Sequence, residues 1–124
     1  MEPLRIIPTV NSLDISLDAK TGLLSFSGRS IPEDSATFFN PVMDWVQEYS
    51  AHPAALTECN FKLEYFNSAA RKCIMEIFRT LEAISKGGRS VKIIWQFDEN
   101  DDSMKETGEE YAELFKLKFE FISY

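Results

Sequence analysis

The sequence predicts an α/β fold: a small mixed β-sheet that opens with an antiparallel hairpin, continues in parallel strands and carries packed helices. Three observations point to it. Residues 12–17 alternate polar and apolar, and after a Gly-containing turn the chain returns as a second strand-like run at 23–28. That is the pattern of a hairpin with one buried face. Two further strand-like runs, 57–66 and 91–97, are each followed by a segment with helical apolar spacing. Strands separated by helices need crossovers, and crossovers make parallel pairs. Finally, 124 residues is the length of one ordinary domain, read as spanning 1–124, long enough to bury about two-thirds of its unfolded surface without metal or disulfide staples.

The elements follow in order. In the hairpin, residues 18–22 form the turn, and Gly22 can supply a positive φ. Residues 31–35 open a helical region in which Phe38, Phe39, Val42, Met43, Val46 and Tyr49 keep the spacing of one helix face. Pro41 lies inside that pattern, and its missing N–H is cheap only in a first turn, with Asn40 as cap. The spacing therefore allows a short turn followed by a helix over about 41–50, or one kinked helix. In the strand at 57–66, Cys59, Phe61, Leu63 and Tyr65 alternate with Glu58, Asn60, Lys62 and Glu64. It runs directly into Asn67-Ser68-Ala69-Ala70, the start of a long helix with the stripe Ile74, Ile77, Phe78, Leu81 and Ile84. Gly87-Gly88 ends it where a left-handed C-cap belongs. Residues 91–97 are largely apolar and expected in the sheet interior. An acidic loop, 98–102, precedes a last helix at 103–115 with Met104, Tyr111, Leu114 and Phe115 on one side, and 119–122 alternates as a terminal strand. Ile74, Ile77, Phe78 and Leu81 are expected to face Leu63, Ile93 and Trp95.

Composition excludes several function classes. Thirteen Lys+Arg against 20 Asp+Glu leave a formal charge of -7. Nucleic acid needs a basic footprint, and so does an anionic membrane surface, so neither is an expected partner. The only histidine is His52, which argues against a histidine-based triad and against an enzyme. The N-terminal residues lack the basic start and apolar stretch of a secretion signal, and no apolar run approaches the roughly 18 residues that span a bilayer. A cytoplasmic location is expected. Cys59 and Cys73 have no CxxC spacing and are expected to be reduced and structural. Phe38, Phe39, Trp45 and Phe78 read as core aromatics, and no cofactor is expected.

Two places could carry chemistry. Ser68 stands where a strand ends and a helix begins, next to Arg71 and Lys72. A phosphate there would meet unpaired N–H groups and the positive end of the helix dipole. The plainer reading makes Asn67 or Ser68 a helix cap, in which case the chain would be a constitutive interaction module. In the acidic loop, Asp98, Asn100, Asp102 and Glu109 match the first, third, fifth and twelfth positions of a calcium-binding EF-hand loop. Ser103 stands where that loop needs Gly, and a strand precedes where a helix is needed, so a solvated acidic loop is expected. A metal or small-ligand binder is the alternative built on it.

At Gly28-Arg29-Ser30-Ile31-Pro32-Glu33 and at Leu63-Glu64-Tyr65-Phe66-Asn67-Ser68 the chain resembles the SiaC-type bacterial regulatory phosphoproteins. The resemblance extends to Gly22-Leu23-Leu24, Asp44-Trp45-Val46, Gly87-Gly88-Arg89 and the Trp95 strand with its acidic sequel. It implies a fold similar to STAS domains and the SpoIIAA-like anti-sigma-factor antagonists. It also implies a non-enzymatic switch. A serine/threonine protein kinase phosphorylates the residue after the Asn of an Asn-Thr-Ser-Ser motif, a PP2C-type phosphatase reverses this, and the unmodified form binds and activates a diguanylate cyclase. The matching phosphoacceptor is Ser68, and the expected switch surface around it is Asn67, Ala69, Ala70, Arg71 and Lys72. Ser68-Ala69-Ala70 stands where the family usually has Thr-Ser-Ser, so the acceptor keeps its hydroxyl and its two neighbours lose theirs.

Overall fold

The computed structural model describes residues 1–31 and 35–124. In chain order the elements are β1 (Leu4–Ile6), β2 (Asp14–Asp18), β3 (Leu23–Ser30), α1 (Ser35–Ala51), β4 (Leu56–Phe66), α2 (Ser68–Lys86), β5 (Ser90–Phe97), α3 (Asp102–Leu114) and β6 (Lys118–Ser123). The strands lie side by side in that same order in one six-stranded sheet. β1–β2 and β2–β3 are antiparallel, and β3 to β6 are parallel neighbours. The fold class expected from the sequence is the one found. β1 was not foreseen, because three residues are too few to display an alternation. It joins through Leu4 opposite Leu17 and Ile6 opposite Ile15.

Each crossover, β3-α1-β4, β4-α2-β5 and β5-α3-β6, moves one place in the same direction across the sheet. Such connections are right-handed in nearly every protein. Three right-handed steps in one direction put all three helices on one face. Burial follows that geometry. Ile15, Leu17, Leu24, Phe26, Cys59, Phe61, Leu63, Ile93 and Trp95 are buried and form one core cluster with the helix stripes. The opposite face is mostly polar, Leu23, Ile94 and Ile122 excepted, and carries ion pairs between Arg5 and Asp14 and between Lys92 and Glu120. This is why even the parallel strands alternate, where parallel strands covered on both faces would be apolar throughout.

The helices resolve what the spacing left open. α1 is one helix that runs through Pro41. Phe39 precedes the proline, Val42, Trp45, Val46 and Tyr49 follow it, and all are buried. A proline in a helix interior costs about 3 kcal/mol, and burying several large side chains at about 1.5–3 kcal/mol each offsets it. Of the expected helical opening at 31–35, Pro32, Glu33 and Asp34 lie outside the described residues. α2 buries the expected stripe, with Ile74, Ile77, Phe78 and Leu81 all fully enclosed. Its end is a Schellman motif: the Gly88 N–H reaches the Ser85 carbonyl and the Arg89 N–H the Ile84 carbonyl. Gly88, at φ 99°, is the left-handed residue.

Two expectations about side-chain direction are corrected. Leu114 is 62% exposed. The buried stripe of α3 is Met104, Thr107, Gly108 and Tyr111, continued by Phe115 beyond the helix end, and a residue one before Phe115 is rotated off it. Tyr65 is 51% exposed while Phe66 is buried. A β-bulge is responsible. Leu63 pairs with Gly28 and Tyr65 with Arg29, so Glu64 is an extra residue that reverses the alternation.

Trp95 on β5 is the hub of the core. Its ring lies 5.5 Å from Phe61, 6.5 Å from Phe66 and 5.7 Å from Tyr111. Its indole N–H donates to the Met104 carbonyl at 3.0 Å. α3 crosses so close that a Cβ on Gly108 would stand 2.5 Å from the indole ring. A second tie holds the chain after α3: the Glu82 carboxylate of α2 accepts the Lys116 backbone N–H at 2.6 Å. That hydrogen bond, aided by Lys86, holds the Glu82 carboxyl below its ordinary range.

Two outcomes follow. Gly108→Ala should destabilise by about 1–3 kcal/mol in urea unfolding, because overpacking against Trp95 outweighs the roughly 1 kcal/mol that alanine adds to helix propensity. For Glu82 the folded form favours the ionised carboxylate, so its contribution is present above the ordinary carboxylate range and is lost as pH falls through the lowered value. Glu82→Gln should therefore be less stable than the parent at pH 7, and the gap should narrow as urea unfolding is repeated below about pH 4.

Candidate functional site

Because β3, β4 and β5 each lead into a helix, the starts of α1, α2 and α3 all gather at the carboxyl edge of the sheet. Asn67 is the knot of that edge. Its backbone N–H donates to the Ser30 carbonyl at the end of β3, 3.1 Å away. Its side-chain Oδ1 accepts the Ala70 N–H at 2.9 Å and the Ser35 hydroxyl, from the start of α1, at 3.3 Å. With φ -80° and ψ 175°, Asn67 is the N-cap of α2. Ser68 is consequently the first helical residue, and the cap does not need its hydroxyl.

The helical period sorts the neighbours. Ser68 and Ala69 are exposed, as are Arg71 and Lys72, and Asn67 is half-buried. Ala70 is fully buried and belongs to the core rather than to the expected switch surface. It starts the stripe continued four and seven residues later by Ile74 and Ile77, so its methyl must face inward. The Arg71 guanidinium stacks over the Phe66 ring at 5.5 Å and approaches Glu110 of α3 at 3.7 Å. The Arg71 carbonyl accepts the Tyr111 hydroxyl at 3.3 Å, and burial raises the pKa of that phenol.

The bulge shapes the rest of the edge. It turns Tyr65 outward and lets Glu64 pair with Arg29 at 3.0 Å. A crevice of about 200 Å³ lies between β4 and the start of α3, lined by Glu64, Tyr65, Phe66, Arg71 and Asp101 among others. Ile31, 40% exposed, adds an apolar side chain at the end of β3. Sequence reasoning missed Tyr65 and Ile31 as surface residues. The available signal was two adjacent aromatics, Tyr65 and Phe66, which cannot both face inward on a regular strand, opposite a Gly that permits a bulge. Gly28 indeed takes φ 98°.

The other candidates have ordinary structural employment. The Asp98 carboxylate accepts the Asn100 N–H at 2.8 Å, and Asp101 caps α3 by accepting the Met104 N–H at 2.9 Å. Among the described residues, no three His, Cys, Asp or Glu side chains are grouped as metal ligands would be. Cys59 is buried and Cys73 half-buried. Burial raises both thiol pKa values, and Glu76 raises that of Cys73 further. Among the described residues, no helix is long and apolar enough to cross a membrane.

Comparison with known proteins adds a relationship to this geometry. Residues 6–124 match the model of the family described as SiaC family regulatory phosphoprotein. An uncharacterized protein of Pseudomonas aeruginosa strain UCBPP-PA14 is 34% identical over 119 residues, covering 96% of this chain and 94% of its own. The structure of SiaC of Pseudomonas aeruginosa superposes with a TM-score of 0.92 at 32% identity, covering 100% of both chains. A crystal structure of the Pseudomonas aeruginosa diguanylate cyclase SiaD in complex with its activator SiaC also matches, with a TM-score of 0.92 at 32% identity over 98% of this chain and 99% of the other.

The division of labour at the junction is measurable. Asn67→Ala should cost about 1 kcal/mol in urea unfolding, the usual loss for an N-cap side chain. Ser68→Ala should stay within about 0.5 kcal/mol of the parent, as for an exposed substitution away from a cap.

Proposed function

This chain belongs to the SiaC family of regulatory phosphoproteins, and on that premise we propose that it is a phosphorylation-switched binding protein with Ser68 as acceptor. It catalyses nothing itself. A serine/threonine kinase transfers the terminal phosphoryl group of a nucleoside triphosphate to the Ser68 Oγ, whose proton is lost as the diphosphate leaves. A PP2C-type phosphatase returns serine and inorganic phosphate by hydrolysis. The regulated partner is a diguanylate cyclase, the class of enzyme that the solved relative is named as activating. The exchange takes place in the cytoplasm.

The observation that carries this reading is that Ser68 is an exposed residue left over at a strand-to-helix junction whose capping is done by Asn67. Ile31 and Tyr65 supply exposed apolar surface close by, which a docked partner would cover. Phosphorylation adds about -1.5 to -2 charges at that place. Covering such a charge with a partner that offers it no cation costs on the order of several kcal/mol, whereas in the free protein it stays at an exposed helix start that tolerates anions. The modification therefore weakens docking and leaves the fold intact.

The test is calorimetric binding to the diguanylate cyclase most similar to SiaD from the same genome. Ser68→Ala should bind like the unmodified parent. Ser68→Asp and the phosphorylated protein should bind at least about tenfold more weakly. Equal affinity for all four forms would remove the switch and leave Ser68 as an ordinary helix residue.

A further inference from the structure

We infer that Arg71 is the arm by which a phosphate on Ser68 acts on α3: the guanidinium leaves Glu110 for the phosphate, and the tie between the first turn of α2 and α3 loosens. This rests on Ser68 being the acceptor. Three residues on, Arg71 lies on the same side of α2 as Ser68, within reach of a group attached there. Its present partner holds it weakly. The distance to Glu110 is 3.7 Å, with side-chain exposures of 44% and 65%, and exposed pairs of this kind contribute little. A phosphate offers about twice the charge of a carboxylate and three acceptor oxygens, which the flat guanidinium fork engages in pairs.

The other nearby cations are worse placed to respond. Arg29 is already engaged by Glu64 at 3.0 Å. Lys72 is exposed, but its ammonium is a point charge without the fork. The consequences of the exchange reach away from Ser68. Glu110 loses its cation, and the groove that it lines on α3 with Glu106, Glu109 and Glu113 becomes more acidic. The Phe66 ring, now under the guanidinium at 5.5 Å, loses its cover. Of the two ties from Arg71 to α3, only the bond from the Tyr111 hydroxyl to the Arg71 carbonyl is left. A change made on one helix is thereby displayed on another.

The experiment installs phosphoserine at position 68 during translation, so no kinase is required and failure here is separate from failure of the proposed function. The phosphate is titrated by phosphorus NMR. Free phosphoserine has its second pKa near 6. With Arg71 present the midpoint should fall by about half a unit or more, the direction expected for a nearby opposite charge. Arg71→Gln should return it most of the way. Arg71→Lys, which keeps charge without the fork, should lie between, and Glu110→Gln should lower it further by removing the competitor. The same midpoint with and without Arg71, no response to Glu110→Gln, or a shift that follows Lys72→Gln instead overturns the inference.

Discussion

Unidirectional winding is the constraint on which the rest of this structure depends. Each right-handed crossover adds its strand on the same side as the last, so the helices have only one face to occupy. The winding direction never reverses, and the fold therefore lacks the crevice that open α/β sheets form at a reversal point. What it has is an edge where three helices begin, with Ser68, Ala69, Arg71 and Lys72 exposed. Those exposed side chains are accessible to macromolecules. That suits a protein recognised by other proteins.

At that edge one side chain does the structural work and its neighbour is left over. Asn67 joins β3, α1 and α2 through its backbone N–H and its side-chain oxygen. With the cap satisfied, Ser68 can be modified without removing a hydrogen bond on which α2 depends. Had Ser68 been the cap, a phosphate on its hydroxyl would have disturbed the helix start as well as the surface. The order Asn-then-Ser places the capping oxygen on Asn67 and leaves the next residue, Ser68, outside the cap.

The edge is nevertheless wired to the core. Phe66 sits between Arg71 on its outer side and Trp95 on its inner side. Trp95 in turn holds α3 through the Met104 carbonyl and through the close approach at Gly108. Tyr111 touches both systems, packing on Trp95 and donating to the Arg71 carbonyl. α3 is thus seated on the strand hub through Met104 and Gly108 and on the first turn of α2 through Glu110 and Tyr111.

Most of the architecture was legible because it is written in periodicity. The hairpin, β4, α2, β5 and the parallel order of the later strands follow from alternation, from helical spacing and from the length of the connections. The place of Ser68 at a strand-to-helix junction was equally legible, since the alternation stops where the stripe of α2 begins. What only the tertiary structure decided is where neighbours override a local rule. Pro41 sits inside one helix because buried side chains on both sides of it outweigh the missing hydrogen bond. The bulge at Glu64 turns Tyr65 outward through pairing with β3, a strand more than thirty residues away in sequence. β1 exists because the edge of β2 was there to receive it, and Ala70 belongs to the core because α2 lies on the sheet. The choice of Asn67 over Ser68 as cap also needed three dimensions, because the carbonyl and hydroxyl that hold Asn67 in place come from the end of β3 and the start of α1. Local pattern reports what a segment can form, whereas contacts between segments distant in sequence decide which atoms are used and which are left free.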